Sequence, residues 1–491
     1  MSSSAEEIAG QTKGRISTQL AVFLTAATSG LVLVVEILAG RLLAPFVGVS
    51  LDTFTGIIGT ILAGIALGAA VGGWLADRFD PQKLIAQALF WGGGLTWLSV
   101  PITSWLGPAV GSGPIAIVIL SAAAFVLPTA VLSGVGPMVA KLELNDLKSS
   151  GAVVGKLSAA STFGALVGTF GTGFILIALL PVPVLILIIG GLLVAAGVAL
   201  FVFNKQRPQA TDVAAVSVAA LLGLFIGTPC EFTTANYCVQ ISIDDAQARP
   251  GGRTLILDQL RHAHVDLNDP THLEFRYMRL FADVAETLPD GPINVLHIGG
   301  GGFTLPRFID AVRPGSTHTV LELDADLVEI VQAELGLPEN HPFDIRIGDA
   351  RINLDDLEDD SFDLIVGDAY SGNSVPWHLA TQEVGDEIDR LLKADGVYMA
   401  NIIDGNENRF VRSQLATLGE TFNELSLIQP TTPIGELGVN QIVVGSQQPI
   451  RQFQIAGNDG RQLTQEELTT FVGDSAVILT DSFAPADQLL P

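Results

Sequence analysis

The sequence is poor in cysteine, in positive charge and, over its first 210 residues, in charge of any kind. Cys230 and Cys238 are its only cysteines, too few for a disulfide framework. No histidine or cysteine cluster has zinc-ligand spacing, so no metal is expected. A single Cys230–Cys238 bridge can form if that segment faces an oxidising compartment. Lys and Arg number 25 against 51 Asp and Glu, a formal net charge of −26. Such a balance repels nucleic acid, so no nucleic-acid partner is expected. It suits cationic small molecules such as polyamines, and it equally serves solubility. A cleavable signal peptide is not expected, because Met1–Gly14 is polar and acidic and the first apolar run is too long.

What the chain does have is long hydrophobic runs, with a mean hydropathy of +0.47. Residues 1–210 hold 10 Lys and Arg and 8 Asp and Glu, whereas residues 211–491 hold 15 and 43. A nearly neutral apolar half is therefore joined to a strongly acidic one. Seven stretches are long enough to span a bilayer: 17–44, 53–76, 83–106, 114–140, 156–180, 182–203 and 211–228. Gly64, Gly68 and Gly72, then Gly164 and Gly168, are spaced four apart and let helix backbones approach closely in lipid. Glu36 lies inside the first stretch with Arg41 five residues on. An intramembrane carboxylate marks either a functional group or one half of an ion pair. Lys13, Arg15, Arg78, Lys83, Lys141, Lys148, Lys156, Lys205 and Arg207 fall in alternate loops, which puts the N-terminus on the cytoplasmic side of a multi-pass cell-membrane protein. With seven spans the acidic half lies outside; an intracellular donor argues for the opposite side.

From Ile241 the pattern changes to short apolar runs alternating with amphipathic segments, the signature of βα units and a largely parallel sheet. In INVLHIGGGGFTLPRFIDAVRPGSTHTVLELDADLVEIV a strand at Asn294–Ile298 ends in four glycines, Gly299–Gly302. A helix follows, then a strand at Thr319–Leu323 with Glu322 and Asp324 at its end. Glycines at such a turn admit a ligand to the backbone, and the acid beyond it can hold ribose hydroxyls. DIRIGDAR adds a third strand ending in Asp349 and Ala350, suited to an adenine amine. A fourth, Phe362–Val366, ends in Asp368 and Tyr370, and a fifth covers Val397–Ile403. LSLIQ and QIVVGS are expected at an antiparallel edge. All the acids fall at strand carboxyl ends, where open α/β sheets bind ligands. Helix capping by Asp324 or Asp349 is the alternative for either residue alone.

On these residues, the glycine loop, Glu322, the GDA at 348–350 and FDLIVGDAYS at 362–371, the second half resembles the spermidine synthase-like aminopropyltransferases of the class I S-adenosylmethionine-dependent fold. The segment LILDQLRHAHVDLNDPTHLEFRYMRLFADV is similar to that family's N-terminal hairpin and first helix. The fold class is thus a polytopic α-helical membrane domain plus an α/β Rossmann-like domain. The expected divisions are 1–16 tail, 17–228 membrane domain, 229–290 connector, hairpin and helix, 291–450 donor-binding domain, and 451–491 C-terminal extension.

The resemblance implies decarboxylated or ordinary S-adenosylmethionine as donor, held at Gly299, Gly300, Gly301, Glu322, Asp324, Asp349 and Ala350. It implies Asp368 as the base that accepts a proton from a small amine acceptor. Asp258, His262, Tyr370 and Ser371 would border that amine. Three positions depart from the family: Gly302 and Ser371 stand where acids are usual, and His262 stands for a glutamine. A methyltransferase, or a non-catalytic polyamine- or nucleoside-binding sensor or transporter, are the alternatives. The expected partners are the amine and the lipid bilayer, and a homodimer is left open.

Overall fold

The computed structural model describes residues 17–490, apart from 112, 145–149, 245–248, 259, 370–375, 432–438, 456, 458 and 474, and at residue 178 the backbone alone. The chain divides into two compact units, Met1–Cys238 and Val239–Pro491.

The first unit is helical. Its long helices among the described residues are α1 (Thr18–Val47), α2 (Leu51–Arg78), α3 (Pro81–Val110), α4 (Pro114–Glu143), α5 (Ser150–Leu176), α6 (Val182–Phe203) and α7 (Ala210–Phe225). Of these, α1, α2, α4, α5 and α6 are long and apolar enough to cross a membrane. The α7 helix has 16 residues, and at about 1.5 Å per residue it falls short of a hydrocarbon core about 30 Å thick. The α3 helix is as long as α1 but opens with Gln82, Lys83 and Gln87 and carries Gly92–Gly94. Large apolar side chains such as Trp74, Trp105, Phe163 and Phe174 point outward, the reverse of a water-soluble bundle and the pattern of a membrane domain.

Glycine sets the helix spacing. A Cβ on Gly164 would lie 1.9 Å from the Ala26 carbonyl oxygen, and one on Gly168 2.3 Å from that of Gly30. Gly68 and Gly72 meet the Ala130 and Gly134 backbones in the same way. No larger residue permits these crossings. Polar contacts pair the helix ends. Lys141 on α4 pairs with Asp77 on α2, and Asn204 after α6 donates to the Gln82 carbonyl at the start of α3. At the other end Ser104 donates to the Gly227 carbonyl and Arg41 to that of Asn236. Arg41 thus turns to the segment after α7, and among the described residues no ion pair joins it to Glu36. Cys230 and Cys238 are disulfide-bonded.

The second unit opens with an antiparallel meander, β1 (Cys238–Ile243), β2 (Gly252–Leu257) and β3 (Leu260–Asp266), followed by α8 (Arg276–Ala285). A mixed sheet then forms from β4 (Asn294–Ile298), β5 (Thr317–Glu322), β6 (Phe343–Ile347), β7 (Phe362–Gly367), β8 (Leu392–Asp404), β9 (Glu424–Pro430), β10 (Val439–Ser446) and β11 (Gly460–Gln462). Its order is β11-β9-β10-β8-β7-β4-β5-β6. The β4–β8 strands are parallel and β9–β11 add an antiparallel edge. Apolar runs such as VLHI and LIV are buried on both faces, as parallel strands require. The crossover helices α9 (Thr304–Val312), α10 (Ala325–Glu334), α11 (Ala350–Leu354) and α12 (Gln382–Leu391) join successive parallel strands. Residues 451–491 belong to this unit: β11 extends the sheet edge, and Leu479 and Ala486 enter the core.

Candidate active site

Two neighbouring strands end side by side at the centre of the parallel sheet. The Asp368 amide donates to the Ile298 carbonyl at 2.9 Å, so the residue after β7 is held against the end of β4. The glycine loop starts there. Gly299 has φ +102°, and a Cβ on it would lie 2.4 Å from the Asp368 carbonyl oxygen. Only glycine combines that backbone with that approach. Gly301, at φ +49°, lies under the His262 ring.

A pocket opens over this junction, bordered by Gly299–Gly302, His262 and Ala263 of β3, Tyr277 of α8, His297 of β4, and Asp368. Asp368 accepts from the Asn401 amide at 2.9 Å and from the Tyr277 hydroxyl. Asn401 in turn accepts from the Asn440 amide at 2.9 Å. Burial pushes the Asp368 carboxyl up to about 6, against the two hydrogen bonds that favour its ionised form. Burial also pushes the His262 imidazole down to about 4, so it is neutral at pH 7. Among the described residues the pocket therefore holds one carboxylate, positioned by neutral donors, beside a glycine-lined wall.

The remaining sequence-derived residues fall around this centre in different ways. Glu322 is buried with its carboxylate under the loop, one oxygen accepting from the Gly300 and Gly301 amides at 3.0 and 3.1 Å and the other from Asp324 at 3.0 Å. Burial raises its pKa while those amides oppose the rise. Asp324 caps α10 through the Asp326 and Leu327 amides. Asp349 caps α11 at Arg351 and also meets His378 at 3.0 Å, with Ala350 opening the same helix. Asp258 sits buried at φ +55° in the turn between β2 and β3, outside the residues bordering the pocket. Tyr370 and Ser371 lie outside the described residues.

Gly302 leaves no room for a longer side chain. A Cβ there would lie 2.7 Å from the Ala263 Cβ, so β3 occupies the space a side chain needs. Phe303, at φ +55°, turns inward and stacks on Phe343. Sequence reasoning missed Tyr277, His297, Asn401 and Asn440 as site residues. The signal for Asn401 was a lone amide in the apolar strand VYMANII. Tyr277 and Asn440 carried none, since a helix tyrosine and an edge-strand asparagine are ordinary.

No family model matches the chain. It is 26% identical over 211 residues to the polyamine aminopropyltransferase of Vibrio vulnificus, covering 40% of this chain and 70% of that enzyme. The namesake from Chromobacterium violaceum is 26% identical over 143 residues, or 29% of this chain and 54% of the relative. Among solved structures, a probable spermidine synthase from Corynebacterium glutamicum superposes with a TM-score of 0.48 at 25% identity, covering 52% of this chain and 96% of that one. The second unit is thus similar in sequence to polyamine aminopropyltransferases and, at 26% identity over 123 residues, to the eEF1A lysine and N-terminal methyltransferase of Danio rerio, of which the match covers 18%.

Proposed function

We propose that the second unit transfers the aminopropyl group of decarboxylated S-adenosylmethionine to a small amine, with Asp368 as the base. The observation that carries this reading is the Asp368 carboxylate in the pocket, held by Tyr277 and Asn401 at the strand end beside the glycine loop. The amine lone pair attacks the methylene next to the sulfonium, and the carbon–sulfur bond breaks with its electron pair leaving on methylthioadenosine. The attacking nitrogen then gives its proton to Asp368. The same carboxylate offsets the sulfonium charge before reaction. In this reading Gly299, Gly300 and Gly301 admit the donor, Glu322 and Asp324 serve its ribose side, and Asp349 and Ala350 its adenine. Asp258, His262, Tyr370 and Ser371 stand on the amine side. One observation favours methyl transfer from ordinary S-adenosylmethionine instead: with Gly302 closed off by Ala263, the loop offers no acid to the donor's aminopropyl nitrogen.

Purified full-length protein supplied with either donor and with putrescine or spermidine separates the two by mass spectrometry. Methylthioadenosine release is the expected result. S-adenosylhomocysteine release means methyl transfer, and failure to bind either donor ends both readings.

The first unit is read as a multi-pass cell-membrane domain with its N-terminus in the cytoplasm. Arg78, Lys83, Lys141 and Lys205 adjoin or form the contacts where Lys141 meets Asp77 and Asn204 meets Gln82. The Ser104–Gly227 and Arg41–Asn236 contacts lie at the opposite end, so α7 together with the segment after it, which carries the Cys230–Cys238 bridge, runs from one end of the unit to the other; this supports an exit of the chain on the oxidising side. A donor made in the cytoplasm then has to cross the bilayer to reach the second unit. Labelling an engineered surface cysteine with a membrane-impermeant maleimide checks this. Modification in intact cells is expected, and modification only after lysis reverses the assignment.

A further inference from the structure

Among the described residues Asp368 is the only carboxylate bordering the pocket, and what holds it extends two residues beyond the pocket wall. A carboxylate only accepts hydrogen bonds, so the 2.9 Å contact obliges Asn401 to present its NH2 to Asp368. The Asn401 carbonyl oxygen then faces away, and it accepts from the Asn440 NH2 at 2.9 Å. Asn401 is buried on β8, the strand next to β7, where Gly367 pairs with Ala400. Asn440 stands near the start of the antiparallel strand β10, two residues before Ile442, which pairs with Asn401. The parallel core and the antiparallel edge of the sheet thus meet through two amides aligned in one direction.

We infer that Asn401 and Asn440 are positioning residues that fix the orientation and the ionised state of the Asp368 carboxylate. Asn440 acts by preventing the Asn401 amide from rotating its oxygen toward the base. Reversal of that amide would set an acceptor against an acceptor and favour protonated Asp368. The other groups facing Asp368 do not substitute for the pair. Tyr277 donates from α8 to the same carboxylate. His262 from β3 and His297 from β4 border the pocket with burial holding both neutral, and the Glu322 carboxylate is taken up by backbone amides. This inference rests on the reading of Asp368 as the base, so its test needs a measurement that does not require turnover.

The measurement is an infrared titration of the Asp368 carboxyl in full-length, detergent-solubilised protein, identified by its loss in Asp368→Asn. Asn401→Leu is expected to raise the midpoint by about one pH unit, a tenfold change in proton affinity. Asn440→Ala should raise it by less. Asn440→Asp, which turns an acceptor toward Asn401, should match or exceed Asn401→Leu, and Asn401→Gln should restore part of the wild-type value. If the aminopropyltransferase reading holds, the acidic limb of the rate profile moves with these midpoints. Wild-type midpoints in both Asn401→Leu and Asn440→Asp overturn the inference. Absence of turnover with either donor overturns the reading of the reaction and leaves the titration to decide the relay.

Discussion

Glycine does different physical work in the two units. In the first, Gly164, Gly168, Gly68 and Gly72 sit on regular helices, and what matters is the missing Cβ: backbones touch where any side chain would stand. In the second, Gly299 and Gly301 adopt positive φ, and what matters is backbone conformation together with the approach of Asp368 and His262. Lipid provides no hydrophobic drive for helix association, so the membrane unit gains its contact from close van der Waals packing. The second unit has a buried apolar core on both sides of its sheet, and at its pocket glycine matters for the backbone conformation it allows. The same residue type therefore reports packing in one region and a site in the other.

Four measurements break or sharpen that contrast. The largest effect is expected from Gly164→Leu, which forces α1 and α5 apart. We expect a loss above about 3 kcal/mol, beyond ordinary overpacking, seen as failure to recover monodisperse protein in detergent. Gly299→Val comes next. It should lower turnover by at least about a hundredfold through displacement of Asp368, since small misplacements at reacting groups have that scale of effect, with a thermal midpoint close to wild type. If Gly299→Val instead unfolds the protein as Gly164→Leu does, the distinction between packing and site glycines is lost.

Replacing Cys230 and Cys238 by Ser should cost about 2–3 kcal/mol, the closure entropy of a short loop. Reductant should lower the denaturation midpoint of the wild type and leave the variant unchanged. The smallest effect is that of pH. Asp368 must be ionised to accept a proton, and burial raises its pKa to about 6. Turnover should therefore be full above that value and fall as pH drops through it, to about a tenth at pH 5. A flat rate profile between pH 5 and 8 removes Asp368 as the base.

Much of the fold was legible because its signals are local. The apolar runs predicted the helices of the first unit, and the strand, glycine and acid order predicted β4 to β7 with small shifts at the ends. The antiparallel edge from LSLIQ and QIVVGS is present as β9 and β10. The site was legible only along the strand ends. Asp368, the glycines and His262 lie around one pocket, and Asp324 and Asp349, at neighbouring strand ends, cap the helices that follow them. Tyr277 and Asn440 reach Asp368 and Asn401 from 91 and 39 positions away in the chain, and no local pattern encodes a contact of that kind.

The sequence by itself determined the division into an apolar helical part and an acidic α/β part, and the strand-end position of Asp368. Hydrophobic periodicity and turn chemistry act over a few residues and need no tertiary context. Only the tertiary structure decided what surrounds Asp368. The neutral histidines, the Tyr277 hydroxyl and the Asn440–Asn401 pair come from five separate elements, and burial, which shifts the Asp368 carboxyl, exists only once those elements have packed together.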